Sequence, residues 1–139
     1  MPVTFRIFPD HALVTVRYTG HVRFCDGQSA FCDYLEHPDR RRREKHLLDL
    51  SEVTGFDRDY ARLMQMQAVK AAAFYETGGP AMLLYLAPTD VSLRLALMFQ
   101  RSWDGVADLA VRVVRETEQA EDVLGLRPGA LETLLQTVP

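Results

Sequence analysis

The stretch that decides the fold is KHLLDLSEVTGFDRDY, residues 45–60. Its first part, residues 45–51, contains three leucines and has the length of a buried strand, and a tight polar turn is expected to follow. Asp57 and Asp59 then precede a helical pattern, and acids at a helix start satisfy free N–H groups and favour the positive end of the helix dipole. We therefore interpret this stretch as a strand, a turn and a helix, the joint of a βα unit.

The residues before this joint predict a hairpin and a helix. Apolar and polar side chains alternate over residues 3–8 and again over 13–18, which is typical of two antiparallel strands with one polar face. A helix is expected over about 22–36, because apolar residues recur there at helical spacing and Pro38 ends it. Its predicted inward side chains are Phe24, Gln28, Phe31 and Leu35, with Cys25 and Cys32 beside them.

The residues after the joint alternate between helices and strands. The first helix is expected to run to about Glu76, and a strand over 81–86 and a helix over 91–103 follow it. A strand over 109–114 and a short helix between Thr117 and Gly125 complete the order ββαβαβαβα. Crossovers of this length join parallel strands, so we predict an α/β fold with a five-stranded, mostly parallel sheet and helices mainly on one face.

The opposite face of this sheet is expected to be polar and free of a second helical layer. Alternation places Arg6, Arg17 and Arg112 on it, whereas strands covered on both faces would be continuously apolar. We predict one domain over residues 1–126, followed by a C-terminal tail with a short helix over 127–139.

Composition limits the classes of function. The chain has 139 residues, 47% of them hydrophobic and 25% charged, and its net charge of -3 gives no reason to expect a nucleic-acid partner. The longest apolar run, residues 81–87, is far shorter than the roughly 20 residues of a membrane span, and the N-terminus lacks the apolar core of a signal peptide. We therefore expect a cytoplasmic protein without a transmembrane segment. Cys25 and Cys32 lie too far apart on one helix for a disulfide and are interpreted as reduced core thiols.

Strings at the strand ends and helix starts carry a family resemblance: Asp49-Leu50-Ser51, Asp57, Ala87-Pro88-Thr89-Asp90, Met98-Phe99-Gln100, and residues 115–120 and 124–126. With the element order, they make the chain to about Leu126 resemble the STAS-like, or SpoIIAA-like, superfamily of anti-sigma-factor antagonist folds. It looks like a little-characterised bacterial branch of that superfamily. Lipid-binding Sec14-type domains share the same architecture.

The resemblance implies a regulatory edge, and this chain departs from the pattern there. Antagonists of that family carry a phosphorylatable Ser or Thr directly after the Asp that aligns with Asp57, but here Arg58 and Asp59 follow it. Asp59 is either a helix cap, the favoured interpretation, or a permanent charge in place of phosphate. The carboxyl ends of parallel strands are where α/β folds bind ligands. The candidate residues at this edge are Ser51, Thr54, Asp57, Arg58, Asp59, Thr89 and Asp90.

The sequence shows no constellation of residues for catalysis, metal binding or a cofactor. Its histidines lack metal-binding spacing, and it has no Gly-rich phosphate loop or nucleophile elbow. Acids at the helix starts would repel a nucleotide phosphate. We therefore expect no enzymatic activity and no cofactor. The run Arg40 to Arg43, flanked by Asp39 and Glu44, is interpreted as a solvated loop rather than a site for anionic lipid or RNA.

The predicted function is a non-catalytic binding and regulatory module that acts through a protein partner or a second copy of the chain. The alternatives are a carrier or sensor of a small apolar or lipid-like ligand, by analogy with Sec14-type domains, and, less favoured, an enzyme. A closed pocket of roughly a few hundred Å³ would favour the carrier, and a flat exposed patch the interaction module. A homodimer is expected through Leu93 and Leu97, which are left over when the other apolar residues of their helix face inward.

Overall fold

The structure is a computed structural model that describes residues 2–106 and 108–136. Residues 1, 107 and 137–139, which include the end of the predicted tail, lie outside the described residues. The strands are β1 (Val3–Phe8), β2 (Leu13–Val22), β3 (Lys45–Phe56), β4 (Met82–Leu86) and β5 (Val111–Val114). The helices are α1 (Phe24–Glu36), α2 (Tyr60–Thr77), α3 (Asp90–Ser102), α4 (Thr117–Leu124) and α5 (Ala130–Gln136).

The five strands form one sheet in the order β1-β2-β3-β4-β5. β1 and β2 are antiparallel, and β2, β3, β4 and β5 run parallel to one another. A short 3₁₀ turn, Pro9–His11, joins the two antiparallel strands. The predicted α/β fold with a five-stranded, mostly parallel sheet is confirmed.

The prediction of a tight turn after Ser51 is wrong, because β3 continues to Phe56. β2 also extends beyond the predicted hairpin, and the two extensions pair as far as Phe56 opposite Val22. A Cβ atom on Gly55 would lie 2.9 Å from Nδ1 of His21, so the glycine leaves room for the His21 ring of the neighbouring strand.

Three helices cover one face of the sheet. Alternate strand residues point to this face, and they form the larger core cluster with side chains from α1, α2 and α3. Among its fully buried members are Leu50, Tyr85, Leu63 and Leu95.

The other face is partly covered by α4 and α5, so the expectation of a face without helices is corrected. Leu131 of α5 is fully buried there and belongs to a second cluster with strand and α4 residues. The right-handed crossover rule applies to helices between parallel strands, and no strand follows α4, so the rule does not assign it a face. Arg6 and Arg17 are half-buried and Arg112 is exposed. The members of the second cluster are Leu13, Leu47, Leu84, Leu86, Ala120, Leu124 and Leu131.

The buried face of α1 differs from the predicted inward face. Phe24, Gly27 and Tyr34 are buried, whereas Cys25 and Cys32 are exposed free thiols, so the interpretation of core thiols is wrong. A Cβ atom on residue 27 would lie 3.1 Å from the Tyr18 hydroxyl. The helix therefore rests on the sheet through the bare backbone of its glycine, which turns both cysteines outward.

Candidate functional site

The acids of the predicted regulatory edge act mainly as helix caps. Asp59 accepts a hydrogen bond from the Arg62 N–H at 3.0 Å at the start of α2. One oxygen of Asp57 accepts from the Phe24 N–H, the first of α1, at 3.4 Å, and the other lies 3.2 Å from Nε2 of His21. These contacts satisfy free N–H groups at the helix starts, which is the structural role expected of a cap.

The remaining edge residues have local partners or are exposed. Thr89 caps α3 by accepting from the Ser92 N–H at 3.1 Å, and Asp90 lies 3.4 Å from the exposed Arg115 guanidinium. Thr54 is exposed, and the Ser51 N–H donates to the buried carboxylate of Asp49 at 3.0 Å. The Arg58 guanidinium lies 5.9 Å from the centroid of the Phe56 ring.

The structure does not join these residues into one cluster. β4 ends at Leu86 opposite Asp49, whereas β3 runs on to Phe56 and pairs there with β2 alone. Over residues 2–106 and 108–136, no hydrogen bond or ion pair connects the group 57–59 with Thr89 or Asp90.

A cavity lined mainly by aromatic and apolar side chains lies between the sheet and helices α1, α2 and α3. It provides about 60 Å³ for the centres of water-sized molecules, whereas one water molecule needs roughly 10–15 Å³ on that measure. It can therefore hold a ligand of several non-hydrogen atoms. Its aromatic lining residues are Phe5, Tyr18, Phe31, Tyr34, Phe74, Tyr85, Phe99 and Trp103.

The aromatic walls are built from rings that pack against one another. Phe31 meets Phe74 edge to face at 5.4 Å between centroids, and Phe74 stacks with Trp103 at 6.1 Å. Tyr85 and Phe99 stack at 5.4 Å, and the indole N–H of Trp103 donates to the Tyr85 hydroxyl at 3.0 Å. Such pairs prefer definite offset or edge-on geometries, so they keep the walls in place and leave apolar ring surface for a ligand.

One polar corner of the cavity is formed by Tyr34 and His46. The Tyr34 hydroxyl donates to Oε1 of the buried Glu44 at 2.6 Å, and the same oxygen accepts from the Arg41 N–H at 3.1 Å. Because the tyrosine proton is used, the Tyr34 oxygen must accept from Nε2 of His46, which lies 3.2 Å away. Burial, followed by the charges of Arg40 and Lys70, lowers the pKa of His46 to about 3, so this ring is neutral at pH 7.

Arg40 supports this corner from the outside, so the interpretation of residues 40–43 as a solvated run is wrong for its first member. Its guanidinium donates to Oγ1 of Thr77 at 2.9 Å and to the carbonyl of Gly78 at 3.0 Å. The guanidinium carbon also lies 5.4 Å from the centroid of the Tyr34 ring. A cation at the C-terminal end of α2 favours the negative end of the helix dipole.

Gln67 on α2 presents an unpartnered acceptor. Its Nε2 donates to the Ser102 hydroxyl at 3.0 Å, and that hydroxyl donates in turn to the carbonyl of Phe99. The serine proton is therefore used, so the amide must face Ser102 with its NH₂ group. Its Oε1 is buried without a protein partner. Gln67 is 3% exposed and lines the cavity.

Lys70 lies one turn further along α2 and also lines the cavity. Its side chain is half-buried, and its Nζ lies 5.7 Å from the centroid of the Phe31 ring. Desolvation lowers the pKa of Lys70 to about 8. In the described part of the chain, no carboxylate lies within ion-pair distance of this ammonium group.

Sequence reasoning did not identify Gln67, Lys70, Tyr34 and His46 as members of one site. A signal was present, since Gln67, Lys70 and Phe74 follow one another at helical spacing on an inward face. Polar residues on such a face need a partner, and here both Gln67 and Lys70 line the cavity.

The predicted self-association surface is smaller than expected. Leu93 is partly buried and packs against the larger core cluster, whereas Leu97 is 46% exposed. Other exposed apolar side chains lie on α2, where Val69 is 56% and Tyr75 is 93% exposed.

Within residues 2–106 and 108–136, no group of three or more His, Cys, Asp or Glu side chains could hold a metal ion. None of the helices in the same ranges combines the length and the apolar character needed to cross a membrane.

No protein-family model matches this chain, and no curated protein matches it either.

Proposed function

We propose that this protein binds a small, largely apolar molecule with an aromatic ring in the cavity between the sheet and helices α1, α2 and α3. The observation that carries the proposal is the lining of that cavity by packed aromatic side chains with a few polar groups among them. Ligand sites in proteins have this composition, because apolar walls supply affinity and a few polar atoms orient the ligand. On this proposal the domain is a carrier or a sensor without catalytic activity.

The proposal concerns small ligands rather than lipids with long chains. The 60 Å³ available to the centres of water-sized molecules is enough for roughly four to six water-sized groups. A substituted ring needs a limited widening of that space by movement of the lining side chains, and an acyl chain would not fit.

A second proposal is an interaction module that binds a protein partner or a second copy of the chain. The exposed apolar side chains Val69 and Tyr75 on α2 and Leu97 on α3 support it. Membership of the STAS-like superfamily, with regulation through the edge of Ser51, Thr54 and residues 57–59, is part of this second proposal. The order of helices and strands along the chain supports that membership, and cytoplasmic location is proposed with it.

The test of the first proposal is saturation-transfer NMR with p-cresol, a single ring with one hydroxyl group. The wild-type protein should transfer saturation to p-cresol. Ala30, which is partly buried and lines the cavity, is replaced in the variant Ala30→Leu. The added side-chain volume should fill the cavity and abolish the transfer.

Gln28→Leu is the matched control, because Gln28 is exposed on the same helix and does not line the cavity. This variant should bind p-cresol as the wild type does, and circular dichroism should show that both variants are folded. Equal saturation transfer by Ala30→Leu and Gln28→Leu would place p-cresol elsewhere and contradict the proposal.

A further inference from the structure

Two residues of α2 line the same cavity, and each has a polar group without a complementary partner in the protein. Gln67 and Lys70 are three residues apart on the helix, a spacing that puts side chains on one face. Both residues line the cavity, and Gln67 carries an unpartnered hydrogen-bond acceptor whereas Lys70 carries a cation. Together they indicate which polar groups a ligand should carry in addition to its apolar ring.

The group that Gln67 requires is a hydrogen-bond donor. The relay from Gln67 through Ser102 to the Phe99 carbonyl holds the amide in one orientation and leaves Oε1 facing no protein donor. A buried acceptor without a partner costs free energy of folding, and a ligand O–H or N–H would remove that cost. An apolar ligand would leave it in place.

The group that Lys70 requires is an anion. Lys70 acts electrostatically on His46, and the other charged or titratable groups at that corner of the cavity are Arg40, Tyr34 and Glu44. Arg40 is a cation and His46 is neutral. Oε1 of Glu44 accepts from Tyr34 and from the Arg41 N–H, and its Oε2 is buried without a partner. Glu44 does not lie within ion-pair distance of Lys70. The ammonium group of Lys70 therefore lies over the Phe31 ring without a carboxylate partner, and a charge in such surroundings is stabilised by an opposite charge on the ligand.

We propose that the cavity selects a single-ring aromatic carboxylic acid that also carries an O–H or N–H donor, with its carboxylate at Lys70 and its donor at Gln67 Oε1. This inference rests on the proposed function, since it names the chemistry of the ligand in the same cavity. A hydroxybenzoate is the simplest compound of the class. The aromatic walls suit its ring, and its two polar groups complement Gln67 and Lys70 on α2.

The test compares three probes by isothermal titration calorimetry with the wild-type protein at pH 7. 4-Hydroxybenzoate carries both groups, benzoate carries only the acid, and phenol carries only the donor. 4-Hydroxybenzoate should bind about 10- to 100-fold more tightly than phenol, because a hydrogen bond to a charged group is strong, and about 3- to 10-fold more tightly than benzoate.

Variants test which residue provides each gain in affinity. Lys70→Met should weaken 4-hydroxybenzoate and benzoate and leave phenol unchanged. Gln67→Met should weaken 4-hydroxybenzoate and phenol and leave benzoate unchanged. Arg62→Met is the control, since Arg62 is an exposed cation on the same helix, and it should bind all three probes as the wild type does.

The pH dependence provides a second readout that a merely structural lysine would not give. The affinity of the wild type for benzoate should fall as the pH rises from 6.5 to 8.5, because Lys70 loses its proton in this range. Lys70→Met should show a flat profile.

The possible failures are distinguishable. If p-cresol enters the cavity but benzoate and 4-hydroxybenzoate bind no more tightly than phenol, the inference is wrong and the proposed function stands. Equal affinities of Lys70→Met and Arg62→Met for benzoate would likewise overturn the inference. If p-cresol does not bind in the cavity, the proposed function fails together with the inference.

Discussion

Acid should destabilise this protein through His46, and the effect can be calculated. His46 is 7% exposed, and its Nε2 hydrogen is used in the bond to Tyr34. Burial beside Arg40 and Lys70 lowers its pKa to about 3. In the unfolded chain its pKa returns to about 6.5. Between these two pKa values the unfolded state binds a proton that the native state excludes. The stabilisation from the neutral native ring is therefore present above pH 6.5 and is lost as the pH falls toward 3.

The magnitude follows from the difference between the two pKa values. Each pH unit below the unfolded-state value costs about 1.4 kcal/mol, so at pH 5 the loss from His46 is about 2 kcal/mol relative to pH 8. Any native-state pKa up to about 4 yields nearly the same loss at pH 5, because the native ring is then still almost entirely neutral. A change of this size is a substantial fraction of the stability of a typical domain.

The measurement is the free energy of unfolding in urea, followed by circular dichroism, at pH 8, 7, 6 and 5. His46→Gln is the variant, because glutamine keeps an uncharged N–H donor but has no group that titrates in this range. The stability difference between wild type and variant should shrink by about 2 kcal/mol between pH 8 and pH 5. His11→Gln is the control, since His11 is exposed, and it should follow the wild type. Parallel stability curves for wild type and His46→Gln would refute the reasoning.

Three further predictions concern α5, the cap of α2 and the surface of α3. Leu131→Ala should lower the free energy of unfolding by about 2–5 kcal/mol, because it empties a fully buried position; a loss below about 0.5 kcal/mol would show that α5 does not pack on the sheet. Asp59→Ala should cost about 0.5–2 kcal/mol in the same assay, since it removes the cap of α2, and an unchanged stability would contradict the cap. The wild type should sediment as a dimer at high micromolar concentration and Leu97→Glu as a folded monomer; identical sedimentation would exclude this interface.

The fold could be predicted where the pattern of the sequence is local. Alternation over 3–8 and 13–18 identifies the hairpin, and Gly78, before Pro80, stops α2 near the predicted end. The extension of β3 to Phe56 could not be predicted in this way, because it depends on pairing with residues of β2 beyond Gly20. The face chosen by α4 and α5 was also not predictable, since no crossover rule applies after the last strand.

The cavity depends on contacts that a single sequence does not contain. The unusual approach of α1 to the sheet at Gly27 rotates the helix and brings Tyr34 to His46. The free acceptor of Gln67 follows from its bond to Ser102 on another helix. Each of these pairs joins residues that are distant in the chain, so helical spacing could identify the inward faces but not the groups they meet.

The central claim is that a small aromatic molecule enters the cavity, and intermolecular nuclear Overhauser effects from p-cresol test it most directly. The chain has one tryptophan, Trp103, which lines the cavity, so its indole N–H is a unique signal. The account predicts contacts from the methyl group or ring of p-cresol to Trp103 and to the ring of Phe31. Contacts to the exposed ring of Tyr75 alone, or no contact to Trp103 at saturating p-cresol, would contradict it.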